Sequence, residues 1–147
     1  MIIVIGIFCF LQGSDGTTKE ARVQSVPENR ARELNITLLA SEWSSSMGGL
    51  STLNRKLAVL LAKQPQVNVT VFVPQNACSE EDKTSASKSN VTIQEAKKRP
   101  GYDDLDWLCS PPKSLSIDVI VGHGAKLGKQ AQFITESHSC KLSLIHI

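Results

Sequence analysis

Residues Asn35 to Ala62 read NITLLASEWSSSMGGLSTLNRKLAVLLA, and this stretch limits the folds open to the chain more than any other. An apolar run from Ile36 to Ala40 gives way to a polar loop that ends in Gly48-Gly49-Leu50-Ser51. An amphipathic pattern follows at once, with Leu50, Leu53, Leu57, Leu60 and Leu61 at spacings of three, four, three and one. Those spacings predict a helix with one apolar stripe, ended by Pro65. Strand, Gly-rich turn and helix in that order characterise a parallel α/β sheet, which aims backbone N–H groups at the helix N-terminus where an anion can bind.

The same grammar continues. Leu34 to Ala40 is nearly continuous in apolar character, as expected of a strand covered on both faces. Val67 to Val73 (VNVTVFV) alternates and is β-branched, which predicts the second strand. Ser79-Glu80-Glu81-Asp82 is a helix start, with Ser79 as cap and acids at the positive end of the dipole. Asn90 to Glu95 predicts a short third strand and Ile117 to Val121 a fourth, followed by Gly122-His123-Gly124 and a helix over Ala125 to Ser137. Between them Ala96 to Ser116 is irregular, with Leu105, Trp107 and Leu108 expected to pin it to the sheet. Lys141 to Ile147 predicts a fifth strand. The fold class is therefore α/β: a Rossmann-like parallel sheet in the order 3-2-1-4-5 with helices on both faces and right-handed crossovers. Its switch point lies between strands one and four, so Gly48-Gly49 and His123 are expected to share one crevice.

The 147 residues leave room for one domain, placed over residues 34–147. Ahead of it, Met1 to Leu11 (MIIVIGIFCFL) lacks a preceding Lys or Arg and a small-residue cleavage site, and it is too short to span a bilayer. We read residues 1–33 as an apolar N-terminal extension and a disordered linker; a degenerate signal or anchor is the alternative. A net charge of +2 gives no footprint for nucleic acid or an anionic membrane, and Lys97-Lys98-Arg99 is read as a solvated patch. Cys9, Cys78, Cys109 and Cys140 form no CxxC, so reduced thiols in a cytoplasmic protein are expected. The sequons at Asn35, Asn68 and Asn90 fall on predicted strands and are read as coincidence.

Leu38 to Leu61, the VTVFVP segment and Asp118-Val119-Ile120-Val121-Gly122-His123-Gly124 together resemble the N-terminal half of GT-B glycosyltransferases, in particular family four and the glycogen-synthase-like enzymes. That group pairs a Gly-Gly-(Leu) loop after strand one with a DVIHxH segment at a later strand end. The likeness covers about Leu34 to Lys141. It implies transfer of a sugar from a nucleotide-sugar substrate to an acceptor with retention at the anomeric carbon, and no separate cofactor. By the resemblance Gly48, Gly49, Leu50 and Ser51 approach the donor phosphates, while the His123 imidazole holds a donor or acceptor hydroxyl in the catalytic site. Glycine suits such a loop because a Cβ would hold a ligand off the backbone. The pattern is departed from at Ser46, where glycogen-synthase-like loops carry Lys, and at Val121, where the first His of DVIHxH stands. The paired-glutamate motif and basic phosphate clamp of a second Rossmann-like domain are absent, so the chain is expected to be an acceptor-side fragment, inactive alone, whose partner is that missing C-terminal domain.

A non-catalytic recognition or regulatory module on the same scaffold is the rival reading, and the two departures favour it. An NAD-dependent oxidoreductase is weaker because no GxGxxG follows strand one. Ser51 and Thr52 can serve as helix caps alone, Trp43 as a packing residue, and His123 as a satisfied turn histidine. Asp104-Leu105-Asp106 matches the DxD signature of the other glycosyltransferase architecture but precedes Trp107 in an irregular segment; no metal site is assigned. Leu142 to Ile147 (LSLIHI) is also the in-frame translation of a transposon-end sequencing adapter, and on that alternative the native sequence stops near Lys141. Resequencing the transcript separates the two: a natural codon run past Ile147 refutes the adapter origin.

Overall fold

Five strands form one all-parallel sheet in the order β3-β2-β1-β4-β5. The computed structural model describes residues 32–45 and 49–145, all within a compact unit that spans Arg32–Ile147. The expectations for Met1 to Leu11, for most of the linker, for Cys9, Ser46 and Gly48, and for the last two residues of the predicted fifth strand lie outside the described residues. In chain order the elements are β1 (Leu34–Leu39), α1 (Leu50–Leu61), β2 (Val67–Val73), α2 (Glu80–Lys88), β3 (Val91–Glu95), a 3-10 helix (Asp104–Cys109), β4 (Val119–His123), α3 (Gly124–Ser137) and β5 (Lys141–Ile145).

β1 is central because its side chains suit burial on both faces. Ile36, Thr37, Leu38 and Leu39 are all buried, and β1 pairs in parallel with β2 on one side and β4 on the other. Alternation along the strands sends successive residues to opposite layers. Leu39, Phe72 and Ile120 pack with Trp107 and Leu108 of the 3-10 helix and with Leu127, Ala131 and Ile134 of α3. That cluster is how the otherwise irregular connection is fixed to the sheet, with Leu105 packed against it. The opposite layer holds α1, whose Asn54 meets His123 across the other face.

The boundaries depart from the sequence expectation in ways that matter. Strand four is Val119–His123 rather than residues 117–121, so Gly122 and His123 belong to the strand itself. The extension at its C-terminal end comes from pairing with β5, Gly122 beside Leu144 and His123 beside Ile145. Just before the strand the Asp118 carboxylate accepts hydrogen bonds from the Asn35 amide N–H at 2.8 Å, from Asn35 Nδ2 at 2.9 Å and from Arg32 at 2.9 Å. These bonds, the Asn35 N–H above all, hold the Asp118 carboxyl below its ordinary range and fix the entry of β4 beside β1. Asn90 is not in a strand; it turns the chain into β3 at φ 56°. The expected stripe on α1 is also rotated. Ser51, Asn54, Leu57, Ala58 and Leu61 are buried, while Leu50 and Leu60 are 46% and 52% exposed. Two polar side chains have taken interior places that periodicity alone awards to leucine, because both find hydrogen-bond partners there.

Gly122 shows how closely α3 lies on the sheet. A Cβ added there would stand 2.8 Å from the Ala131 Cβ and 2.9 Å from the Leu127 carbonyl oxygen. Both are rigidly placed, so G122A should destabilise by about 1–3 kcal/mol through overpacking. Urea denaturation of the variant against the parent chain measures this; an unchanged midpoint would show that α3 can ride outward freely.

Candidate functional site

Two helices begin at the C-terminal edge of the central strands, and neither is capped. α1 opens at Gly49, whose φ 80° and ψ −135° suit glycine alone. No side chain caps it and its first turn carries no acid. α3 follows β4 directly, with His123 as N-cap, Gly124 at φ 59° and again neither cap bond nor acid in the first turn. α2 is built the other way. Ser79 and Asp82 form a reciprocal capping box, and Glu80, Glu81 and Asp82 occupy its first turn. Among the described residues neither N-cap side chain bonds the first amides of α1 or α3, and the two helices start where β1 and β4 end, on either side of the switch point.

The loop between β1 and α1 is tied to the helix it feeds. Ser51 Oγ donates to Glu42 Oε1 at 3.1 Å, Arg55 donates to Ser44 Oγ at 3.3 Å, and Trp43 is buried. The Ser51 hydroxyl thus serves Glu42 rather than the helix amides, which removes the capping role expected of it. Trp43 packs inward and offers no open ring face for a sugar. Glu42 also sets one carboxylate beside the first turn of α1, a feature that sequence reasoning missed.

His123 is 1% exposed and is held from α1. Its Nε2 lies 2.7 Å from Asn54 Oδ1, and Asn54 Nδ2 in turn donates to the Leu39 carbonyl at 2.8 Å. Asn54 sits a little over one turn beyond Gly49, so a short chain of bonds links the α1 segment, the end of β1 and the end of β4. The other ring nitrogen, Nδ1, is buried without a protein partner. Burial lowers the His123 pKa below its ordinary value, so the ring is neutral at pH 7. Of the residues expected in the site, the structure thus relates Gly49, Ser51 and His123 through α1. Leu50 projects into solvent, and Gly48 lies outside the described residues. Asn54 was missed; the only signal was a polar residue at helical spacing from Ser51.

Asp104-Leu105-Asp106 falls within the 3-10 helix, where Asp106 accepts a hydrogen bond from Gln130 at 3.4 Å. No group of three or more metal-ligating side chains forms among the described residues.

A family model described as "Family 4 Glycosyltransferase in conflict systems" matches residues 37–147. The chain belongs to this glycosyltransferase family. The match takes in the second half of β1, the glycine loop, α1, His123 and β5. No curated protein and no solved structure matches the chain.

The buried imidazole of this family 4 glycosyltransferase domain makes stability depend on pH with a defined sign. A His whose folded pKa is depressed binds fewer protons folded than unfolded, so its contribution is complete above the ordinary value of about 6.5. It is then lost as pH falls through the window below that value. The urea midpoint should therefore drop as pH is lowered from neutral through and below about 6.5, and H123Q should flatten that part of the profile. An unchanged slope in H123Q would assign the drop to other groups.

Proposed function

We propose that this family 4 glycosyltransferase domain is the acceptor-side, N-terminal half of a GT-B enzyme that transfers a sugar, with retention, from a nucleotide-sugar to an acceptor. In the reaction the bond from the anomeric carbon to the diphosphate oxygen breaks and a bond to an acceptor hydroxyl forms on the same face. Negative charge grows on the leaving diphosphate. The uncapped amides that follow Gly49 can meet that charge without reorganising, which is where such groups are worth most. His123 is neutral, and its unpartnered nitrogen, buried in this domain by itself, is assigned to a sugar hydroxyl by the family resemblance and not by an open face of the ring. A second Rossmann-like domain is assigned the remaining nucleotide contacts, because the described residues supply no paired glutamates and no basic clamp. The observation that carries this reading is the join between the Gly49 helix and the His123 ring at one switch point.

A non-catalytic recognition module is the second reading, favoured by the Glu42 carboxylate beside α1, which an arriving pyrophosphate would have to face. Ser46, where glycogen-synthase-like loops carry Lys, and Val121, where the first His of DVIHxH stands, point the same way. A cytoplasmic location fits the free thiols of Cys78, Cys109 and Cys140. It also fits Asn35, whose side-chain amide is committed to Asp118 and is unsuited to a glycan. No helix among the described residues is long and apolar enough to cross a membrane.

The test is transfer by the domain joined to its second Rossmann-like domain, followed as nucleoside diphosphate release from a panel of nucleotide-sugars. H123A should lower kcat by about 10²-fold or more, as loss of a positioned hydrogen-bonding group does, and G49V should abolish turnover. Full turnover by both variants would remove the site. Saturable nucleotide-sugar binding with no release in any combination would favour the recognition module.

A further inference from the structure

The bond between α1 and β4 asks more of Asn54 than helix packing does. Asn54 is 3% exposed in the middle of a helix whose other interior residues are Ser51, Leu57, Ala58 and Leu61. An apolar residue there would bury more favourably, since an amide taken from water costs free energy unless both its ends are bonded. Here both are, and the two bonds are not interchangeable. The Leu39 carbonyl can only accept, so the Asn54 nitrogen must face it, at 2.8 Å. The Asn54 oxygen is thereby turned to His123 Nε2, at 2.7 Å. An amide oxygen can only accept, so Nε2 must carry the proton. Nδ1 is then the bare nitrogen, and it is the atom left buried without a partner. A reversed amide would set oxygen against the Leu39 oxygen and N–H₂ against an Nε2 that had lost its proton to Nδ1. One backbone carbonyl thus decides the state of a ring on another strand.

We infer that Asn54 is a positioning residue that locks His123 in the Nε2–H tautomer through the Leu39 carbonyl, keeping Nδ1 as a fixed hydrogen-bond acceptor for a hydroxyl-bearing ligand. The inference rests on the proposed role of His123 for the ligand, but the lock itself is a property of the protein without one. It adds a selectivity: groups that can donate to Nδ1, such as sugar hydroxyls, are accepted, whereas groups that can only accept meet a buried lone pair. A residue that merely tied α1 to β1 would need its donor alone and would leave the ring free to exchange tautomers.

Nitrogen NMR of the full 147-residue chain, labelled with ¹⁵N-histidine, reads this directly. The chain has three histidines, and H123Q assigns the His123 ring. At a pH well above the ring's titration, the wild type should show a bare, pyridine-type Nδ1 and a protonated, pyrrole-type Nε2. In N54L both resonances should move toward the tautomer average. N54D, whose carboxyl when protonated can donate to the Leu39 carbonyl and keep its other oxygen opposite Nε2, should keep that nitrogen protonated, which carries the test if N54L does not fold. A wild-type ring protonated on Nδ1 or already averaged, an N54L spectrum identical to wild type, or loss of the Nε2 proton in N54D would each overturn the lock. Because no substrate is present, such a result leaves the reading of His123 as a ligand group to the transfer assay, which can fail separately.

Discussion

Parallel pairing of β1 with β2 on one edge and with β4 on the other is the constraint from which the rest follows. Parallel neighbours cannot be joined by a tight turn, so each connection must cross a face of the sheet. Right-handed crossovers leaving β1 and β4 in opposite directions put their helices on opposite faces. The chain after β1 and the chain after β4 therefore diverge at the C-terminal edge, which is the switch point of the sheet. The helices that start on either side of it have no side-chain cap bond at their N-cap residues, while the helix remote from it has a capping box.

The two ends of β4 have different jobs. At its entry, Asp118 gathers the Asn35 amide and Arg32, and these bonds set the register of β4 against β1. Five residues on, His123 faces away from the layer in which Gly122 meets α3 and toward the layer that contains α1. Strand alternation converts this one-residue step into two uses: Gly122 permits close packing, and His123 reaches Asn54. A burial that would be costly for an imidazole is offset on one nitrogen by Asn54 and left uncompensated on the other, by about 1–3 kcal/mol for such a group.

Much of the fold was legible in the residues. Five strands, three helices and the order 3-2-1-4-5 follow from apolar runs, β-branched alternation and the Ser79 cap, each a local signal with a local cause. The site was legible only in part. Gly49 and His123 stood out because glycine pairs and histidines are rare enough to notice. Asn54 did not, because a lone Asn in a leucine-rich helix resembles a surface residue until its partners are known. The α1 stripe shows the same limit: Leu50 and Leu60 satisfy helical period, yet they lie in solvent and Ser51 lies inside.

The chain by itself determined which segments are strands and helices, that the strands run parallel, and that a glycine turn follows the first of them. Those properties depend on neighbours a few residues apart. The facing of α1, the entry point of β4 and the protonated nitrogen of His123 were decided by tertiary structure alone. Each depends on a hydrogen bond between groups far apart in sequence: Ser51 aside, Asp118 with Asn35 and His123 with Asn54 join partners separated by 83 and 69 positions. Periodicity is blind to such pairs, because it scores a polar side chain as outward-facing before any buried partner exists to satisfy it.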